Sequence, residues 1–239
     1  MTDEEKFIES LYEEAENELK KVYSQQKESR DELLKEIAMI MLTYTILDGL
    51  MNIKKNDKDE IYKKLSELII INYKNISNKE VEVLNNILET TVKKTFNFYS
   101  YNSGLKDVRK IVESNFKGKH FSERVWENEN EVAKYLHKQV NNFLNGKINV
   151  NQIKKDIEKT FNSSVYNAKR LVTTEVSRCQ NEAFRKLCEE TNVKKVKRNA
   201  ILDSKTCDDC YPLNGRVYEL KDMPQISHPM CRCFYEVYE

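Results

Sequence analysis

Along most of this chain, apolar residues recur at intervals of three and four. Phe7, Ile8, Leu11, Tyr12, Ala15, Leu19, Val22 and Tyr23 form one face of a helix that opens with Thr2-x-x-Glu5. At that spacing a hydroxyl and a carboxylate can each satisfy a free backbone N–H of the first turn. The same period predicts a second helix from about Asp31 to Leu50, a third from about Asp57 to Tyr73, and a fourth that is capped by Ser77-x-x-Glu80 and reaches about Tyr99. Tyr101-Asn102-Ser103-Gly104 interrupts the pattern before it resumes from Leu105 to Phe116, and Lys117-Gly118-Lys119-His120 breaks it again. Ser122 to Asn145 reads as a helix ended by Gly146, a residue suited to left-handed backbone geometry. Asn149-x-x-Gln152 starts a short helix, and Ser163 or Ser164 opens the last long one. Ala168, Leu171, Val172, Val176, Cys179, Ala183, Leu187 and Cys188 form its apolar stripe, which fades near Thr191-Asn192. Trp126 and the other aromatic residues at helical spacing read as core.

Beyond residue 192 the period changes. Val193 to Leu202 alternates apolar with basic residues, while Arg216-Val217-Tyr218 and Phe234 to Tyr238 are short and rich in aromatic and β-branched types. These segments predict a small antiparallel sheet. The expected fold is mainly α: a helical region over 1–115, a further helical segment over 116–192, and a small α+β tip of short antiparallel strands over 193–239.

Composition sharpens this division. Glycine (5) and proline (3) are scarce, and Pro212, Pro224 and Pro229 all lie in the tip, which leaves the earlier helices uninterrupted by helix breakers. Forty basic residues against 39 acidic ones leave a net charge of +1, so no global field draws the chain to nucleic acid or to an anionic membrane. The one basic run, Lys194-Lys195-x-Lys197-Arg198, lies in a tip of nearly balanced charge and reads as a solvated strand face. The longest apolar stretch, Ile37 to Leu47, falls well short of the ~20 residues that span a bilayer and reads as a buried helix. The acidic start, Met1 to Lys6, has no apolar region after it and does not read as a secretion signal.

The candidate chemistry is concentrated in the tip. Cys207-x-x-Cys210 and His228-x-x-Cys231, with Cys233 beyond them, have the spacing of two knuckles that together hold a tetrahedral zinc ion. In a chain with no secretion signal, a reducing compartment favours metal over disulfides. Five donors compete for four positions. The symmetric set is Cys207, Cys210, His228 and Cys231; in the alternative Cys233 replaces Cys231. If the stretch is extended, Cys231 and Cys233 point to opposite faces, and sharing one ion requires a bend. Enough donors to close the coordination sphere favour a structural zinc over a catalytic one, which keeps a position for water. A segment running from 207 to 239 is too short to bury a self-sufficient core, and structural zinc contributes roughly 10–16 kcal/mol to such units. A nucleophilic pair of His228 with a neighbouring thiol lacks an orienting third group, so no catalytic residue is expected. Cys179 and Cys188 read as packing residues. Glu175 stands on the apolar face of the last helix and calls for a buried ion pair with Arg170, Arg178 or Arg232; service as a general base is the alternative.

Five separated motifs also carry a resemblance. Phe121-Ser122-Glu123-Arg124-Val125-Trp126, Arg170 to Glu175, Leu202 to Cys210, Leu213-Asn214-Gly215-Arg216-Val217-Tyr218 and His228 to Cys233 resemble, in order and spacing, the closing domain of the phage head-morphogenesis family, the Mu F-like minor head proteins. The resemblance covers about residues 115 to 233, and residues 116–192 would be the helical part of that domain. It departs before His228, where the family usually has a double proline and this chain has Met223-Pro224-Gln225-Ile226-Ser227. Some relatives continue into toxin-like enzyme domains, which the six residues after Cys233 do not accommodate. The resemblance implies a non-enzymatic, low-copy virion component made in the bacterial host cytoplasm and placed in the head interior or near the portal. It would act in procapsid assembly and in DNA packaging and delivery, with portal and other capsid proteins as partners, and self-association and a weak DNA contact left open. Two further classes stand beside it: a zinc-dependent hydrolase or toxin-like effector using Glu175, and a small DNA-binding module using Lys194 to Arg198.

Overall fold

The Thr2-x-x-Glu5 capping box forms as read. Thr2 Oγ1 accepts the Glu5 backbone N–H at 3.1 Å, and Glu5 Oε2 accepts that of Thr2 at 2.8 Å. The structure is a computed structural model that describes residues 2–102, 104–202, 206–225 and 228–238. Ser103 of the expected interruption, Asp203, Ser204 and Lys205 of the Leu202 to Cys210 motif, and Ile226 and Ser227 of the loop before His228 lie outside the described residues.

From the capping box, helix α1 (Asp3–Thr43) runs without interruption through the point where two helices were expected. Helix α2 (Lys55–Phe98) likewise joins the expected third and fourth helices, and α5 (Val150–Glu190) joins the short helix at Asn149 to the last long one. Ser77 and Ser164, read from sequence as helix starts, are instead fully buried inside helices. Polar residues on an inward face interrupt an apolar pattern, but without glycine or proline they do not interrupt the i to i−4 hydrogen-bond ladder.

The second helix was expected to reach Leu50 but stops at Thr43. Strands β1 (Thr45–Leu47) and β2 (Leu50–Asn52) follow as an antiparallel hairpin in the register Thr45↔Asn52, Ile46↔Met51, Leu47↔Leu50. Between them Asp48 and Gly49 have φ of 50° and 78°, the left-handed pair that a two-residue hairpin turn needs. Helix α3 (Leu105–Val112) is shorter than expected, and α4 (Phe121–Leu144) ends as read. At its end the Gly146 N–H reaches the Phe143 carbonyl and the Lys147 N–H that of Asn142, with Gly146 at φ 66°. Asn149 caps α5 by accepting the Gln152 N–H at 2.8 Å. Strands β3 (Lys195–Asn199), β4 (Val217–Glu219) and β5 (Phe234–Tyr238) form the tip's antiparallel sheet in the order β4-β3-β5.

The chain divides into two compact units. One comprises Lys20–Val81 and Ser122–Ala168. Its apolar core includes Leu33, Ile37, Leu65, Ile69, Leu136, Val140, Phe143, Ile153, Ile157 and Phe161. It also holds a buried polar layer: Gln26 Nε2 donates to Ser164 Oγ at 2.7 Å, and Ser164 Oγ donates to Glu129 Oε1 at 2.6 Å. Burial pushes the Glu129 carboxyl up to about 7, against the lowering effect of the Ser164 hydrogen bond. Glu80 is raised well above the usual carboxylate range by burial and then by the charge of Glu129.

The other unit comprises Met1–Leu19, Glu82–Phe121 and Lys169–Glu239, and it contains the sheet and every residue of the cysteine–histidine cluster. Among the described residues, no helix is long and apolar enough to cross a membrane.

Candidate metal centre

Two similar turns bring the donors together. The Cys210 N–H donates to the Cys207 carbonyl at 3.1 Å, and the Cys231 N–H to the His228 carbonyl at 3.3 Å, so each pair closes a knuckle of the same length. His228 Nε2 stands 3.0 Å from both Cys207 Sγ and Cys210 Sγ, and Cys210 Sγ stands 3.7 Å from Cys231 Sγ. Cys207, Cys210 and His228 form one group of donor atoms lying within 4.8 Å of one another; Cys210, Cys231 and Cys233 form a second. Cys210 belongs to both. All five residues singled out from sequence therefore meet in one place.

Cys231 and Cys233, which an extended chain would turn to opposite faces, both reach Cys210. Met230 before them adopts φ 62°, and the segment 231–233 precedes β5 and belongs to no strand. That is the bend a shared location requires.

The donor chemistry fits zinc. Two sulfurs on one zinc at about 2.3 Å each stand roughly 3.8 Å apart at the tetrahedral angle, close to the Cys210–Cys231 separation. The imidazole is oriented for ligation: its Nδ1 lies 2.8 Å from the Pro229 carbonyl, which can only accept, so Nδ1 carries a proton and Nε2 is the nitrogen turned to the sulfurs. The hydrogen bond from Cys233 holds Cys231 down to about 5, and the same bond pushes the Cys233 thiol far above its ordinary value. Burial pushes Cys210 up to about 11. Phe116 and Ala200 pack on the buried cysteines and complete an apolar shell.

One face of α5 holds this assembly. Thr174 Oγ1 accepts the Met230 N–H at 3.1 Å, and Asn181 Nδ2 donates to the Cys233 carbonyl at 3.2 Å. Arg185 donates to the Met223 carbonyl. Glu175 finds its partner on the same helix: of the three arginines considered, Arg178 pairs with it, Nε to Oε2 at 2.6 Å, with the side chains 4% and 1% exposed. Arg178 Nη1 also donates to the Ile111 carbonyl and to Ser114 Oγ, and Nη2 donates to the Val112 carbonyl. The pair thus ties α5 to the last carbonyls of α3, the electronegative end of that helix. The Glu175 carboxylate is in neither group of clustered donors.

The basic run is not a uniform solvated face. Lys195 and Lys197 pair with Glu219 and Glu236, and Arg198 is buried. Because side chains alternate along β3, Arg198 faces inward with Val196 and Ala200. That alternation was present in the sequence as a signal, and reading the four cations as one run obscured it.

Residues 129–236 match the model of the family described as Phage Mu protein F like protein. The match takes in most of α4, all of α5, the five clustered donors and Glu175. Neither the curated proteins nor the solved structures provide a match to the chain.

Proposed function

We propose, from the premise that residues 129–236 belong to the phage Mu protein F like family, that the chain is a minor head protein. In this reading it is a low-copy virion component that associates with the portal and acts in procapsid assembly and in DNA packaging and delivery. It is a structural protein and has no catalytic residues. Its helical faces contact other head proteins, and its tip is a rigid docking element.

The observation that carries the structural reading of the tip is the meeting of two knuckles around Cys210. The ligand set is Cys207, Cys210, His228 and Cys231. The matching geometry of the two turns supports it, since each pair is closed by the same hydrogen bond across three residues. Zinc bound by four protein ligands cross-links the knuckles and leaves no position for a reacting water. The family match and this saturated donor set point the same way: a tip built for holding shape.

The test is co-expression with the portal protein encoded by the same phage genome. The expected result is co-purification of the two, and loss of the portal when Cys210 is changed to Ser. A wild-type chain that loads zinc, remains monomeric and ignores the portal refutes the assignment.

A further inference from the structure

Strand β3 turns Val196 and Arg198 to the interior, and the cation, Arg198, is only 2% exposed. A guanidinium at such a position is costly unless anionic acceptors meet it. Its backbone is fixed on both sides. The Arg198 N–H donates to the Arg216 carbonyl at 2.8 Å, its carbonyl accepts the Gly215 N–H at 2.7 Å, and on the other edge it faces Tyr235 of β5. From this anchored point the side chain extends to the cysteines: Nη2 lies 3.7 Å from Cys210 Sγ, and the guanidinium also hydrogen-bonds Cys233.

We propose that Arg198 is the charge-balancing and positioning residue of the cysteine–histidine centre, donating to sulfur from outside the coordination sphere. The inference rests on the zinc reading above. Three thiolates, a neutral imidazole and Zn²⁺ leave one net negative charge beside the buried Cys210 and Cys231, in a site that Cys207 and His228 leave half-buried, and one guanidinium cancels it. Arg198 is placed for this where its neighbours are not. Lys195 and Lys197 face outward onto Glu219 and Glu236, and Arg232, although it lies between Cys231 and Cys233, is half-exposed. The planar fork of arginine also serves two sulfurs at once, which a lysine ammonium at the same place does less well. Outer groups that hydrogen-bond metal ligands orient them, and losing one typically weakens metal binding about 10–100-fold.

The experiment uses the full chain and compares wild type, Arg198→Met, Arg198→Lys and, as a control on the outward face of the same strand, Lys197→Met. Zinc affinity is measured by competition with a chromogenic chelator. Cobalt substitution reports the number of thiolates through its charge-transfer bands. The expected result is an affinity loss of about 10–100-fold in Arg198→Met with the cobalt spectrum still that of a tetrahedral thiolate site, partial recovery in Arg198→Lys, and no change in Lys197→Met. Arg198→Met with wild-type affinity overturns the inference, as does an equal loss in Lys197→Met. Should Arg198→Met fail to fold, wild-type affinity in a folded Arg198→Lys overturns the positioning role. A wild-type chain that takes up neither ion defeats the zinc reading itself, whereas normal wild-type uptake with an indifferent Arg198→Met defeats only this inference.

Discussion

Replacing Glu129 with glutamine should make the protein more stable at alkaline pH and leave it nearly unchanged in acid. Glu129 and Glu80 are each 1% exposed and interact with one another within the polar layer formed with Gln26 and Ser164. In the unfolded chain Glu129 ionises near 4.5; in the folded chain burial holds it protonated to about 7. The folded state therefore binds the extra proton, and stability falls as pH rises between those values. The contribution is complete below about 4.5 and is lost by the time pH has passed about 7, the reverse of a salt-bridged carboxylate. The separation corresponds to about 3 kcal/mol, or roughly 6–12 °C in Tm for a chain of this size. Glu80, also raised by burial, contributes in the same direction. Glutamine keeps an oxygen to accept the Ser164 hydroxyl and removes the ionisation. Tm would be followed by circular dichroism from pH 5 to 8.5 in wild type and Glu129→Gln, both reduced and zinc-saturated. Protonation of the clustered thiols in acid affects the two proteins alike and cancels in their difference. That difference should be under about 1 kcal/mol at pH 5 and approach about 3 kcal/mol at pH 8. Parallel Tm curves would refute the buried, protonated carboxyl.

Other consequences follow from the same contacts. Cys210→Ser, which removes the sulfur common to both donor groups, should reduce bound zinc measured by elemental analysis from one per chain to none while most of the far-ultraviolet helical signal persists. Arg178→Ala leaves Glu175 buried and unpaired and removes the tie to α3, so chemical denaturation should show a loss of about 3–5 kcal/mol. Glu175→Gln keeps an acceptor for Arg178 and should still co-purify with the portal; loss of an enzymatic activity in that variant would instead favour the general-base reading. Gly146→Ala forces a Cβ into the left-handed region at φ 66° and to 3.2 Å from the Met51 carbonyl oxygen, with an expected cost of about 1–2 kcal/mol in thermal unfolding.

Much of the fold was legible wherever a signal and its partner lie within a few residues. The Thr2–Glu5 box, the Gly146 terminus, the Asn149 cap and the segments of the three tip strands all appear where the pattern put them. Asp48-Gly49 was equally local but was absorbed into a helix, because the apolar run before it satisfied the helical period up to the turn. Ser77 and Ser164 misled for a different reason. A serine hydroxyl can cap a helix start or bond to another side chain inside a helix, and the neighbouring sequence looks the same in both cases. Only the arrival of Gln26 and Glu129 from far along the chain decides the matter for Ser164.

The candidate site divides along the same line. Two C-x-x-C-type spacings were enough to nominate Cys207, Cys210, His228 and Cys231, because each knuckle is a turn closed by a hydrogen bond across three residues. That the knuckles meet at Cys210, that Met230 bends the chain so Cys233 joins them, and that Arg178 is the arginine holding Glu175 were decided by the tertiary structure. The sequence by itself determined the short-range choices, where backbone sterics and nearest-neighbour hydrogen bonds dominate. Which distant charges share a buried space depends on how whole faces pack, since in a low-dielectric interior an unmet charge costs more than any local preference supplies.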